Sequence, residues 1–210
     1  MIGKNQFNSV FRLHLYRKAL QRLKQMGFVR VFSDNLADAA GVTPTQVRRD
    51  FASFGLTGQK RGGYSVQDLL ANLDVKLGKE RPQNAVVLGV GNIGRALLNY
   101  RGFATAGIRI VAGFDSDPRK IDPKAAVPIL PLEKLRDFVT KNETRVAILA
   151  VPEDQAQAVF DLMIKAGIQG VLNFAPLRLT SPKDDVVVHN IDVGLEIEKI
   201  LYLVNQINKE

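Results

Sequence analysis

The stretch VVLGVGNIGRAL, residues 86–97, sets Gly89, Gly91 and Gly94 between an apolar, β-rich run and a run with helical spacing. A strand followed by G-x-G-x-x-G and then a helix is the local context in which three glycines do distinct work. Gly89 makes the tight turn, Gly91 lets the backbone approach a pyrophosphate, and Gly94 allows helix and strand to pack closely. The turn residues Val90, Asn92 and Ile93 then lie at a helix start whose unpaired N–H groups suit anionic oxygens. Asp115 closes the next apolar run, VAGFD, 21 residues beyond Gly94. A carboxylate there accepts hydrogen bonds from ribose hydroxyls and repels a 2′-phosphate, and Ser116 and Asp117 bring no arginine beside it. The expected cofactor is NADH or NAD+. The same turn holds any pyrophosphate, coenzyme A included.

Hydride transfer needs a positioned acid or base beside the nicotinamide. The chain has two histidines, His14 in a basic helix and His189 in the strand-like VVVHNID, and both read as structural or surface residues. With no cysteine, no H-E-x-x-H and no G-x-S-x-G, thiolate, zinc-hydrolase and serine-hydrolase chemistry lack residues. No catalytic residue and no metal ligand is expected.

The charge distribution points elsewhere. Residues 1–80 hold 13 Lys and Arg against 6 Asp and Glu, whereas residues 81–210 hold 16 against 15, so nearly all of the formal +8 sits in the first part. A concentrated positive field suits a polyanion. Within that part, Phe11, Leu15, Ala19, Leu23 and Met26 recur at helical spacing. The segment SDNLADAAGVTPTQVRRDFASFG reads as two short helices. Ser33 is expected to cap the first, Gly41 to make the turn, and Thr43 with Pro44 to start the second. Val47, Phe51 and Phe54 face inward, leaving Thr45, Gln46, Arg48 and Arg49 for a DNA groove, which is the helix-turn-helix pattern, the alternative being a generic helical hairpin with a solvated basic face. The glycine-rich, basic GLTGQKRGGYSV follows as a hairpin wing carrying Lys60 and Arg61.

Hydrophobic residues are 46% and charged residues 24%, as in ordinary globular proteins. No apolar run is long enough for a signal peptide core or a membrane span, so a cytoplasmic protein is expected. The short apolar runs AVVLGV, IRIVAGF, RVAILAV and GVLNFA alternate with helical stretches near 93–101, 132–140 and 154–166. This predicts a doubly wound parallel sheet. Val151 with Pro152, and Asn173, Phe174 and Pro176, then end strands at the carboxyl edge, where such sheets bind ligands. Plain turn chemistry explains these residues equally well. In the last segment, Val193, Ile197, Ile200, Val204 and Ile207 form a broad helical stripe, either packed on the chain's own sheet or on a partner subunit.

Taken together, AGVTPTQVRRDFASFG, the GGY of the wing, GVGNIG with GFDSDP, AVPEDQAQ, GVLNFAPL and NIDVGLE, in that order, resemble the Rex family of redox-sensing transcriptional repressors over essentially the full chain. The resemblance implies an N-terminal winged helix-turn-helix domain over residues 1–80 and a Rossmann NAD(H)-binding domain over 81–190. A C-terminal helix at 191–210 would swap between the subunits of a homodimer. It implies binding to inverted-repeat, double-stranded operator DNA, release by NADH, and competition from NAD+. On the same ground Tyr100 and Asp192 lie near the nicotinamide end or a switch contact between domains, and Gly63 and Tyr64 belong to the wing. Arg61 stands where the family has glycine, Val193 where it has an aromatic or leucine, and either Arg17 or Lys18 matches the partner of Asp192. The alternatives open on the residues are a small NAD-dependent oxidoreductase and a DNA-binding regulator sensing another nucleotide.

Overall fold

A computed structural model of the chain describes residues 4–58, 62–180 and 185–207. The chain divides into two compact units, residues 1–81 and 82–210.

The first unit is helical, with α1 (Lys4–Gln25), α2 (Ser33–Ala40), α3 (Pro44–Ser53) and α4 (Val66–Lys76), plus two short strands, β1 (Arg30–Val31) and β2 (Tyr64–Ser65). Its core is built from Leu13, Tyr16, Leu20, Val31, Leu36, Val47, Phe51 and Leu73. The inward face of α1 therefore differs from the expected one. Leu13, Tyr16, Ala19 and Leu20 are buried, whereas Phe11 and Met26 are 58% and 72% exposed. Tyr16 turns the face because its ring packs edge-on against Phe51 at 5.4 Å while its hydroxyl finds a buried acceptor, Asp50, at 2.8 Å.

The start of α2 also differs. Ser33 is its first helical residue and is buried, Phe32 is the N-cap, and Asn35 Oδ1 accepts the Phe32 N–H at 2.8 Å. Asn35 thus reaches back to the N–H of the N-cap residue, the second half of a capping box, and Ser33 does not cap the helix. The turn and α3 follow the sequence pattern: Gly41 has φ +65°, Thr43 Oγ1 accepts the Gln46 N–H, and Pro44 occupies the first turn. After the glycine-rich run, β2 pairs antiparallel with β1, matching Val31 to Tyr64. The strand partner thus comes from FVRVF, ahead of the helix-turn-helix. Lys60 and Arg61 lie outside the described residues.

In the second unit the strands are β3 (Gln83–Leu88), β4 (Ile108–Asp115), β5 (Ile129–Pro131), β6 (Val146–Leu149), β7 (Gly170–Asn173) and β8 (Val187–Asn190). All pair in parallel in the order β5-β4-β3-β6-β7-β8. The helices are α5 (Asn92–Leu98), α6 (Gly102–Thr105), α7 (Leu135–Lys141), α8 (Glu153–Lys165) and α9 (Val193–Ile207). The chain winds outward from β3 to β5, then returns to start β6 on the other side of β3, the doubly wound topology. Val86, Leu88, Phe114, Leu149 and Phe160 anchor its core, which explains why the central strands read as unbroken apolar runs. The helix expected over 93–101 is two pieces, broken between Leu98 and Gly102.

No residue of α9 is buried by its own chain, and Ile197, Ile200 and Ile207 are 53%, 61% and 72% exposed. Among the described residues no helix is long and apolar enough to cross a membrane.

Candidate functional site

Parallel strands with β3 and β6 as neighbours leave a crevice at their carboxyl ends, and the glycine turn lies there. The Gly89 N–H donates to the Phe114 carbonyl at 2.8 Å, tying the turn to the end of β4. Gly89 has φ +90°, and a Cβ on it would strike the Ala150 carbonyl and lie 2.7 Å from Val151 Cγ1. A Cβ on Gly94 would strike the Gly89 carbonyl oxygen, so helix and strand meet where only glycine fits. Gly91 is different. It caps α5, and a Cβ on it would meet nothing within 4 Å. The space it leaves open is a cavity of about 320 Å³, lined by Gly89, Gly91, Asp115, Ser116, Lys120, Val151 and Pro152 among others. That volume is in the range of small-molecule sites, and a missing side chain at the mouth of a helix start is what a close-approaching pyrophosphate requires.

Two acidic residues, Asp115 and Asp117, line this cavity, and Asp115 is buried, 7% exposed. Burial works against its charge, yet three donors answer it. Its Oδ1 accepts the Asp117 N–H at 2.9 Å, and its Oδ2 accepts the Lys120 ammonium at 2.9 Å and the Val90 N–H at 2.7 Å. Together they hold its carboxyl below the usual carboxylate range. No arginine pairs with Asp115, but a lysine does. Lys120, at the end of the short 3-10 turn Pro118–Lys120, is brought back onto it, and Arg119 grips Asp117 with both Nε and Nη2. The sequence signal for Lys120 was only a basic pair five residues past a strand end.

The other positions read from the sequence divide. Val90 is fully buried and reaches the site through its N–H alone; Asn92 and Ile93 are exposed at the α5 start. Asn173 is fully buried and spends its amide on the Leu177 carbonyl and Asn190, and its Oδ1 on the Ala175 N–H. It organises the turn that carries Phe174, which is half-buried, and Pro176, which is exposed. Tyr100 lines a second, apolar cavity with Leu98, Phe103 and Ile108, and is 60% exposed. Asp192 Oδ1 accepts the Leu195 N–H and so caps α9. Arg17 is paired with Asp74 inside the first unit, and Lys18 is exposed. His14 is half-buried, its pKa lowered by burial and by Lys79, Arg17 and Lys18; His189 is in β8.

On α3 of the first unit, Thr45, Arg48 and Arg49 are exposed on the face opposite Val47 and Phe51. Gln46 is half-buried, its amide donating to Asp50 Oδ1 at 2.8 Å. Asp50, 2% exposed, also accepts Arg12 Nε at 2.6 Å, Arg12 Nη2 at 2.7 Å and the Tyr16 hydroxyl. Burial opposes its charge, but Arg12, Tyr16 and Gln46 outweigh it and hold its carboxyl below the usual range. Nothing local in the sequence signals this four-residue junction, which fixes α3 on α1, because Arg12 and Asp50 are 38 positions apart. Tyr64 packs edge-on against Phe51 at 5.1 Å, and a Cβ on Gly63 would lie 2.5 Å from the Val31 carbonyl. Both hold β2 in place.

Residues 8–52 match the family described as "Putative DNA-binding protein N-terminus", and residues 80–177 match "CoA binding domain". A curated relative from Desulforamulus reducens, "Redox-sensing transcriptional repressor Rex", is 42% identical over 92% of this chain and 92% of its own. The solved structure "Crystal structure of RSP in complex with beta-NAD+ and operator DNA" is similar with a TM-score of 0.88 at 33% identity, covering 96% of this chain and 93% of that one. Its counterpart "in complex with beta-NADH" is similar with a TM-score of 0.81 at 33% identity, covering 96% and 94%.

Proposed function

The chain belongs to the Rex family of redox-sensing transcriptional repressors, and from that premise we propose that it represses transcription as an NADH-responsive regulator without catalytic turnover. Its first unit holds operator DNA and its second unit reads NADH against NAD+. The observation that carries the proposal is the extent of the match to a named repressor, which spans both the helix-turn-helix and the nucleotide crevice. The crevice then has no need of substrate chemistry. Gly89, Gly91 and Gly94 shape the backbone that receives the pyrophosphate, Asp115 meets the adenosine ribose, and Val151 and Pro152 form the opposite wall.

Response to NADH requires that it favour the DNA-incompetent state, because a ligand with equal affinity for both states shifts nothing. Linkage then makes the effect reciprocal. Calorimetric titration with NADH, alone and with operator duplex present, is expected to give weaker binding with DNA, by the factor through which NADH weakens DNA binding. Equal NADH affinity in both titrations would remove the coupling.

Thr45, Arg48 and Arg49 contact the operator from α3 in this proposal, and Lys60 and Arg61 from the wing, while Gln46, Gly63 and Tyr64 hold those elements. Arg49→Ala is expected to weaken operator binding by about 1–3 kcal/mol. Unchanged affinity in a gel-shift titration would take Arg49 out of the interface. The protein acts in the cytoplasm as a homodimer on an inverted repeat, and residues 191–210 form the dimer contact, reaching across to the partner together with Asp192. The uncovered apolar stripe of α9 supports that role. Deleting residues 193–210 is expected to give monomers in sedimentation and to abolish inverted-repeat binding. A DNA-binding dimer after the deletion would contradict the assignment.

A further inference from the structure

A carboxylate offers about four lone-pair positions to donors. Among the described residues, three donors already converge on Asp115: the Asp117 N–H on Oδ1, and the Val90 N–H and Lys120 Nζ on Oδ2. One acceptor position on Oδ1 is left for a ribose hydroxyl. The arrangement also changes the electrostatics of selection. An isolated carboxylate repels a 2′-phosphate by its charge, but here a cation 2.9 Å away cancels much of that charge, on a carboxylate that is 7% exposed. Both members of the pair line the cavity. Arg119, in contrast, is 90% exposed and is not among the cavity's lining residues; it pairs with Asp117, the cavity's other carboxylate, and offsets that charge from outside.

Resting on the NADH reading above, we propose that Lys120 is a specificity-determining residue of the pocket, and that Asp115 occupies a ready-made site for a 2′-phosphate. Two backbone N–H groups and an ammonium meeting at one point are the donor set that a phosphate monoester takes. Asp115 fills that site with its own charge. Selection of NADH over NADPH then comes from occupancy and hydrogen-bond matching: an acceptor-only carboxylate takes a hydroxyl donor and rejects an acceptor-only phosphate. Taking Asp115 away does more than weaken the grip on ribose, since it hands Lys120, the Val90 N–H and the Asp117 N–H to the phosphate. Taking Lys120 away has the opposite effect, because the uncovered carboxylate repels the phosphate more strongly.

The test is fluorescence titration of the full chain with NADH and with NADPH, for the parent, Lys120→Met, Asp115→Ala and the double variant, with thermal unfolding to register folding. Asp115→Ala is expected to move the NADH/NADPH affinity ratio toward NADPH by roughly tenfold or more, the scale of a charge-assisted hydrogen bond. Lys120→Met is expected to move it the other way, and the double variant to lose the NADPH gained by Asp115→Ala. An unchanged ratio in Lys120→Met, or a double variant that keeps the full NADPH gain, overturns the assignment of Lys120. A parent protein that binds neither nucleotide overturns the NADH reading itself, and this inference with it, and is told apart by the parent titration alone.

Discussion

Replacing Asp50 by alanine is expected to leave a protein that no longer binds operator DNA but still binds NADH. The carboxylate is 2% exposed and is the common acceptor for Arg12 Nε and Nη2, the Tyr16 hydroxyl and the Gln46 amide. Its loss strands a guanidinium and a phenol between α1 and α3. Removing one partner of a buried pair costs about 3–5 kcal/mol, since what remains is an uncompensated group. A domain near 80 residues has a total stability of only about 4–12 kcal/mol, so the first unit is left at or below the margin. The presentation of Thr45, Arg48 and Arg49 depends on α3 staying where this junction holds it. Urea unfolding, operator gel shift and NADH titration of the same preparation check the dissociation of effects. Parent-like stability with intact operator binding would show that the junction does not position α3. The pH dependence has a fixed sign. Because the folded Asp50 carboxyl lies below its ordinary value of about 3.9, its contribution is complete above that value and is lost as pH falls through the lower folded pKa.

Gly94 and Gly91, three positions apart in the same turn, give the second large effect. Gly94→Ala is expected to destabilise the second unit and to abolish NADH binding, because the new Cβ would occupy the place of the Gly89 carbonyl oxygen. Both atoms belong to backbone, so no rotamer relieves the clash, and overpacking of this kind costs about 1–3 kcal/mol or more. The turn that would face a pyrophosphate opens as the helix is pushed from the strand. Gly91→Ala separates binding from folding. Its backbone is extended, at φ −82° and ψ −157°, and its Cβ meets nothing within 4 Å, so the protein folds as before. The added methyl stands in the approach to the cavity, and NADH affinity is expected to fall by about tenfold or more, equivalent to ~1.4 kcal/mol. Thermal unfolding and NADH titration of the pair check this. Undiminished binding in Gly91→Ala would mean that the nucleotide does not approach that backbone.

What the residues announced locally, the fold contains. Thr43-Pro44 opens α3, Gly41 makes the turn before it, and GVGNIG sits at the mouth of β3, because caps, positive φ and strand-to-helix turns are set by neighbours a few positions away. What depended on distant partners was not legible. The inner face of α1 is chosen by Tyr16 reaching Asp50, 34 positions on, and the partner of β2 lies on the far side of the helix-turn-helix. β5 is three residues ending in proline and carries no periodic signal; only its place at the sheet edge makes it a strand. Lys120 became part of the pocket because the turn Pro118–Lys120 curls back onto the end of β4, a reversal that the basic pair alone does not encode. The α9 stripe was legible as apolar, but periodicity could not choose between its own sheet and a partner; the chain leaves it uncovered.

NADH, and not NAD+, is expected to take this protein off its DNA. Fluorescence anisotropy of a labelled inverted-repeat promoter fragment bound to the full chain, at one fixed salt concentration, tests it by separate titration with NADH, NAD+ and NADPH. Release is expected with NADH at concentrations where NAD+ leaves the complex intact and only competes with NADH. Anisotropy that stays high through the NADH titration, with the protein still bound, would contradict it.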